Sequence, residues 1–289
     1  MSTLTNPFAP FDASLAAAFE ANIQTALAED IGSGDLTGRL VAQSAWADAR
    51  VLVRENALLC GAPWFEGVMT RLNRGIRIDW RYAEGATMAA DSIVCSIHAP
   101  ARALLSAERM ALNFLQLLSA IASSTREYVE LIKGTRAQIL DTRKTLPGLR
   151  LAQKYAVRVG GGKNHRMGLY DGILIKENHI AAAGGVSAAL RGALALNVGV
   201  PIQIEVESLP QLDEALAAGA DSVLLDNFSL EDMRAAVETT AGRALLEASG
   251  GVNRESVRAI ADTGVDRISI GSLTKDVRAT DYSLRIVRG

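Results

Sequence analysis

Several things are scarce in this sequence, and each scarcity closes a door. There are two cysteines in 289 residues, Cys60 and Cys95. That is too few for a secreted disulfide framework, and their spacing is not that of a zinc site. The three histidines, His98, His165 and His179, also lack metal-ligand spacing. No apolar run reaches the roughly 18 residues of a membrane span, because Asn113, Gln116 and Ser119 interrupt the best candidate. Residues Met1 to Asp12 show no basic stretch followed by an apolar core, so no secretory signal is expected and a reducing cytoplasm is the expected location. Charge of one sign is lacking too. A net charge of -2 disfavours nucleic acid and anionic membrane as bulk electrostatic partners.

What is present is enough apolar residue, 49% against 21% charged, to bury a full core. Apolar residues at helical spacing (Leu15, Phe19, Ile23, Leu27) predict a helix over Asp12 to Asp30, stopped by Gly32 to Gly34. A mixed zone to about Pro100 follows, with strands expected at Ala49 to Val53, Ile76 to Tyr82 and Ser92 to Ile97. A long apolar helix is expected from Ser106 to Lys133. Beyond it one theme recurs: a short apolar strand, a polar residue at its carboxyl end, then an amphipathic helix closed by glycine. Strands are expected at Gln138 to Leu140, Gly172 to Ile175, Ile202 to Val206, Ser222 to Leu225, Ala244 to Glu247 and Arg267 to Ile270, with helices such as Leu209 to Ala218 and Glu255 to Thr263 between them. The joints Ala218-Gly219-Ala220-Asp221 and Thr263-Gly264-Val265-Asp266 look like one helix stop used twice, the pattern of βα units in a parallel barrel.

In such a barrel the residues just past each strand converge on one mouth. Here they are Asp141 to Lys144, Lys176 to Asn178, Glu205 and Glu207, Asp226-Asn227, Ser249 to Gly251 and Gly271-Ser272. The segment Arg143 to Lys176 holds eight Lys or Arg and one acid, Asp171, a local charge of +7 in a chain whose total is -2. A substrate with several phosphates or carboxylates accounts for that concentration. Gly160-Gly161-Gly162-Lys163 could bring backbone N–H groups close to an anion. It is not a P-loop, since Asn164 follows the lysine, and there is no dinucleotide fingerprint. Glu205, Glu207 and Asp226 could hold Mg²⁺ through oxygen or water contacts, or steady a cationic transition state.

The run Leu140-Asp141-Thr142-Arg143-Lys144-Thr145-Leu146-Pro147-Gly148-Leu149-Arg150 and the stretch from Gly160 to Asp171 resemble the quinolinate phosphoribosyltransferases. So do Leu174 to His179, Ile204 to Glu207, Leu225 to Phe228, Glu247 to Gly251, Ile270 to Thr274, Glu29 to Thr37 and Ala107-Glu108-Arg109. The resemblance implies an α/β protein with an N-terminal α/β sandwich (1–115), an incomplete (β/α) barrel (116–275) and a C-terminal segment (276–289) packing back on the first domain. It also implies a homodimer with shared sites, Arg109 reaching into the neighbour. The implied reaction takes quinolinate, phosphoribosyl pyrophosphate and Mg²⁺ to nicotinate mononucleotide, pyrophosphate and carbon dioxide, on the route to NAD. In it Arg109, Arg143, His165 and Arg166 suit the two carboxylates of quinolinate. Thr142, Lys144 and Lys176 suit phosphoribosyl and pyrophosphate oxygens. Glu205 and Asp226 face the cationic ribose carbon or its Mg²⁺. Ser249, Gly250, Gly251, Ile270, Gly271 and Ser272 form the expected 5′-phosphate cradle, and Lys144 is the expected aid to decarboxylation. Three alternatives stand beside this reading: a related transferase of the molybdenum-transport type with another acceptor, a Schiff-base aldolase using Lys176, and a non-catalytic anion-binding barrel. The apolar stretch Leu104 to Ile121 is a further sequence argument for an oligomer.

Overall fold

The structure is a computed structural model describing residues 3–288. Its first helix, α1 (Ala13–Ile31), starts where the Asp12 carboxylate accepts the Leu15 N–H at 2.8 Å and ends at Gly32, whose φ of 50° turns the chain out of the helix. The long strand β1 (Trp46–Val53) follows, buried at alternate residues as its pattern of Ala47, Ala49, Val51 and Val53 requires. A two-residue strand β2 (Ala57–Leu58) leads into α2 (Ala62–Leu72), then β3 (Arg77–Trp80), β4 (Thr87–Met88) and β5 (Ile93–Pro100). The helix α3 (Ala101–Leu131) begins five residues earlier than its sequence suggests, directly off β5.

Next come β6 (Gln138–Leu140), α4 (Arg150–Val159), β7 (Ile173–Ile175), α5 (Glu177–Ala183) and α6 (Val186–Ala195). The chain continues through β8 (Ile202–Val206), α7 (Leu209–Ala217), β9 (Ser222–Asp226), α8 (Leu230–Thr240), β10 (Leu245–Ser249), α9 (Val257–Ala261), β11 (Arg267–Ser269), α10 (Ser272–Lys275) and β12 (Tyr282–Arg288). The expected barrel strands are thus found within two residues at either end. Among the described residues, no helix is long and apolar enough to cross a membrane.

Two compact units are built from this chain. The first takes the residues up to Ser124, Thr145–Gly161 and everything from Thr274 onward. Its four-stranded sheet runs β12-β1-β5-β3, with β1 antiparallel to both neighbours. One sheet face packs on helices, and α3 supplies Leu104, Ala107, Ala111, Leu115, Leu118 and Ala122 at three- and four-residue spacing to that core. The apolar content of Leu104 to Ile121 is therefore largely absorbed inside this unit, where each buried leucine contributes roughly 1.5–3 kcal/mol. It no longer argues for an interface. Trp64 and Tyr155, both almost fully buried, pack against Phe11 in tilted and edge-to-face contacts at the centre of the aromatic cluster.

The second unit, Thr125–Lys144 and Gly162–Leu273, holds a parallel six-stranded sheet of order β6-β11-β10-β9-β8-β7. Its strands alternate. Ile204, Val206, Val223, Leu225, Leu246, Ala248 and Ile268 belong to one apolar cluster together with helix residues such as Leu190, Leu212, Ala236 and Ile260. The residues between them, including Gln203, Glu205, Asp226 and Glu247, therefore belong to the opposite, inner face of the curved sheet. β6 and β7 are the two ends of the strand order and do not pair with each other. This is an incomplete β/α barrel. Beside β6 the segment after Gly162 adds a single parallel bridge, Leu140 to Lys163, with the Lys163 N–H donating to Ile139 O at 2.8 Å and the Asp141 N–H to Lys163 O at 3.2 Å.

Candidate active site

That segment, not a regular strand, carries His165 and Arg166, and its shape is set by two aspartates; the Gly160, Gly161 and Lys163 N–H groups, expected to face an anion, donate instead to Ala156, Arg158 and Ile139 carbonyls. Asp141, fully buried at the end of β6, accepts the His165 N–H at 2.9 Å and the Asn164 amide at 2.6 Å. Asp171 accepts the N–H groups of Met167 and Gly168 at 2.7 and 2.8 Å, closing the loop into a tight turn. Between these anchors Arg166 donates from Nη1 to Gly172 O at 2.8 Å. Burial, and then the nearby Arg143, push the Arg166 guanidinium below its ordinary value, with Asp171 opposing them. Two guanidiniums held near each other repel, and an anion between them relieves that repulsion.

On β7 and β8 the arrangement is of opposite sign. Lys176, just past β7, meets the Glu205 carboxylate at 3.2 Å. Desolvation raises the Glu205 carboxyl above the usual carboxylate range, Lys176 draws it back, and Asp226 at the end of β9 raises it further. The two carboxylates thus sense each other across adjacent strands. Asn227, at φ 57°, turns the chain sharply after Asp226 and donates to the Asp226 carboxylate at 2.9 Å. Its side-chain oxygen would lie 2.1 Å from a Cβ at position 250, and Gly250 has φ 101°, so only glycine fits there. Ser249 stands opposite Asp226 in the ladder. Lys144 lies over Gly271, where an added Cβ would sit 3.0 Å from its Cδ, and its backbone N–H donates to the Thr142 hydroxyl at 3.1 Å.

Eight of the sequence-derived residues of the second unit therefore fall into three groups: Arg143 with Arg166, Lys176 with Glu205 and Asp226, and Thr142 with Lys144 and Gly271. Arg109 belongs to the first unit. There it lines a cleft of roughly 340 Å³ with Asn22, Glu29, Asp30, Asn113 and Gly148. The basic segment is also divided, since Arg150, Lys154 and Arg158 fall on α4 in the first unit and Lys154 is buried there. His165 turns its ring to the inner face of the sheet, with Nε2 3.0 Å from Gln203 Oε1. Gln203 drew no attention in the sequence, and Glu247 entered only as part of a resembling stretch, with no role of its own. The signal that could have found them is alternation, because each is a polar residue two before a polar strand end.

The family models for the quinolinate phosphoribosyl transferase N-terminal and C-terminal domains match residues 35–119 and 121–285. The chain belongs to the quinolinate phosphoribosyltransferase family. A probable nicotinate-nucleotide pyrophosphorylase (carboxylating) of Bacillus subtilis is 41% identical over 259 residues, covering 89% of this chain and 90% of its own. The nicotinate-nucleotide pyrophosphorylase (carboxylating) of Mycobacterium leprae is 47% identical over 213 residues, 73% of this chain and 75% of its own. Among solved structures, the nicotinate-nucleotide pyrophosphorylase from Francisella tularensis superimposes with a TM-score of 0.91 at 42% identity, covering 99% of this chain and 100% of that one. In this family member, as far as the described residues go, no group of three or more His, Cys, Asp or Glu side chains is placed to hold a metal ion. Glu205 and Asp226 are two hard oxygen donors on neighbouring strands, which suits Mg²⁺ whose remaining ligands are water and substrate phosphates.

Proposed function

We propose that this protein transfers the phosphoribosyl group of phosphoribosyl pyrophosphate to quinolinate with decarboxylation, yielding nicotinate mononucleotide, pyrophosphate and CO₂ in NAD biosynthesis. The observation that carries the reading is the pairing of opposite electrostatics on one barrel: Arg143 and Arg166 near each other, Glu205 and Asp226 near each other. A dianionic acceptor suits the first pair, and a ribose carbon gaining positive charge suits the second.

In this mechanism Arg143, Arg166 and His165 orient the quinolinate carboxylates, and Arg109 completes the set from the neighbouring subunit of a homodimer. Lys144, Thr142 and Lys176 take phosphate and pyrophosphate oxygens. Ser249, Gly250, Gly251, Ile270, Gly271 and Ser272 hold the 5′-phosphate through backbone N–H groups and small side chains that admit close approach. As pyrophosphate leaves, the Glu205 and Asp226 carboxylates stabilise the cationic sugar. Lys176, 3.2 Å from Glu205, helps keep that carboxyl ionised. Once the pyridine nitrogen is alkylated, its positive charge stabilises the ring carbanion left by CO₂ loss, which takes up a proton from water to give nicotinate mononucleotide, and the Lys144 ammonium assists at the departing carboxylate. Glu205 and Asp226 would hold Mg²⁺, which when bound would neutralise charge on the departing pyrophosphate. A cytoplasmic place fits two cysteines that are both buried and free.

The deciding assay supplies purified protein with phosphoribosyl pyrophosphate, Mg²⁺ and either quinolinate or nicotinic acid. Nicotinate mononucleotide from quinolinate alone is expected. Product from nicotinic acid alone would refute the dicarboxylate assignment of the arginines. Sedimentation showing a fully active monomer would remove the shared-site dimer.

A further inference from the structure

Behind the two guanidiniums, on the inner face of the sheet, lies a chain of hydrogen bonds that leads to a buried carboxylate. Gln203 and Glu247 are 7% and 1% exposed. A carboxylate so deeply placed is costly unless donors hold it. Glu247 Oε2 accepts from Gln203 Nε2 at 3.0 Å, and Glu247 Oε1 lies 3.8 Å from His165 Nε2. Gln203 Oε1 is 3.0 Å from the same His165 nitrogen, and His165 Nδ1 is 2.8 Å from the Arg166 backbone nitrogen.

The directions of these bonds fix one another. A backbone N–H can only donate, so Nδ1 is the bare nitrogen and Nε2 carries the proton. Nε2–H then donates to Gln203 Oε1, which turns the Gln203 NH₂ toward Glu247. Glu247 Oε2 accepts from that NH₂, and the amide cannot flip without setting N–H against N–H at the histidine end. The chain runs from Arg166 N–H through His165 and Gln203 to Glu247 Oε2, each link a donor facing an acceptor, while Glu247 Oε1 makes no hydrogen bond. It starts at the residue whose guanidinium is braced on Gly172.

We propose that Gln203 and Glu247 are positioning residues for the dicarboxylate half of the site. They hold His165 as the Nε2-protonated imidazole and, through Nδ1, hold Arg166 in place against the repulsion of Arg143. A guanidinium fixed before substrate arrives loses little freedom on binding, so the effect appears in affinity for the acceptor and not in the chemical step. The kinetic half of this inference rests on quinolinate being the acceptor, and the spectroscopic half does not.

Two measurements test it. Protein labelled with ¹⁵N-histidine contains three imidazoles, and His165→Asn identifies the His165 signals by their loss. At neutral pH His165 is expected as a single tautomer, protonated at Nε2 and bare at Nδ1, and Gln203→Leu is expected to abolish that signature. In steady-state kinetics Gln203→Leu raises KM for quinolinate by about ten-fold and Glu247→Gln by about three-fold, because the buried donor or acceptor left behind must be resatisfied. KM for phosphoribosyl pyrophosphate and kcat change less than about two-fold in both variants. An Nδ1-protonated or doubly protonated His165 in the unmodified protein overturns the proposal, and so does an equal loss for both substrates. Should Gln203→Leu fail to fold, Glu247→Gln keeps shape and an acceptor oxygen, and the unmodified spectrum still decides. If no protein turns over quinolinate, the acceptor assignment fails and the spectrum alone judges the positioning chain.

Discussion

Glu84 and Glu205 are both buried glutamates, 2% and 9% exposed, and both are raised above the ordinary carboxylate range by desolvation. Their surroundings differ in kind. Glu84, in the first unit, accepts from the Gly61 and Ala62 N–H groups at the start of α2, at 2.8 and 3.1 Å, and from the Tyr155 hydroxyl at 3.1 Å. No Lys, Arg or His acts among the causes of its shift, and burial carries it to about 7. Glu205 faces a lysine and a second carboxylate at the ends of strands. One carboxyl closes a helix end; the other sits in an arrangement of opposed charges that a cationic ligand would satisfy. Burial alone does not mark a candidate acid, whereas burial beside unlike and like charge together makes Glu205 one.

The comparison is sharpest at Glu205→Ala. Loss of a carboxylate that faces developing positive charge is expected to lower kcat by about 10²–10³-fold, with thermal stability nearly unchanged. A variant that melts early but turns over normally would reverse the roles assigned to the two glutamates. Glu84 is expected to show itself in stability against pH. Its carboxyl titrates at about 7 when folded, above the 4.5 of an unhindered glutamate, so the folded state binds the proton more tightly. Stability from this group is therefore full at pH below the unfolded value and is lost as pH rises toward and through 7, a decline of about 3 kcal/mol. Glu84→Gln should flatten that slope in denaturant titrations across this window, whatever it does to the absolute level. The smallest effect is expected for Lys176→Met, which leaves Glu205 facing Asp226 without its cation. KM for phosphoribosyl pyrophosphate should rise by about ten-fold, within the range for a charge-assisted contact, and an unchanged KM would separate Lys176 from the phosphate-binding set.

The barrel strands were legible because their alternation and glycine-closed helices are local signals, and Gln138 to Leu140 and Ile202 to Val206 are found as expected. The polar strand ends were legible for the same reason. The last strand, Tyr282 to Arg288, carries no comparable local signal: its run mixes apolar and charged residues, and its pairing partner β1 lies more than 200 residues away. Helix α4 was hidden because its charges, Arg150, Lys154 and Arg158, read as part of an anion-binding segment, although Lys154 is buried within the first unit. Gln203 and Glu247 were given no site role because a polar residue inside a strand carries meaning only once the inner face of the sheet is known. The position of Arg166 was beyond sequence reasoning too, since Asp141 and Asp171 set it through backbone N–H groups that no side-chain pattern records.

The incompleteness of the barrel leaves β6 as a sheet edge, and an uncovered edge is a template for pairing with another chain. The bridge at Lys163 blunts that edge with the same stretch of chain that presents His165 and Arg166. The acceptor recognition proposed for His165 and Arg166 and the covering of this edge thus fall to one loop, and a deletion that loosens it is expected to be met first as insoluble protein and only afterwards as lost turnover.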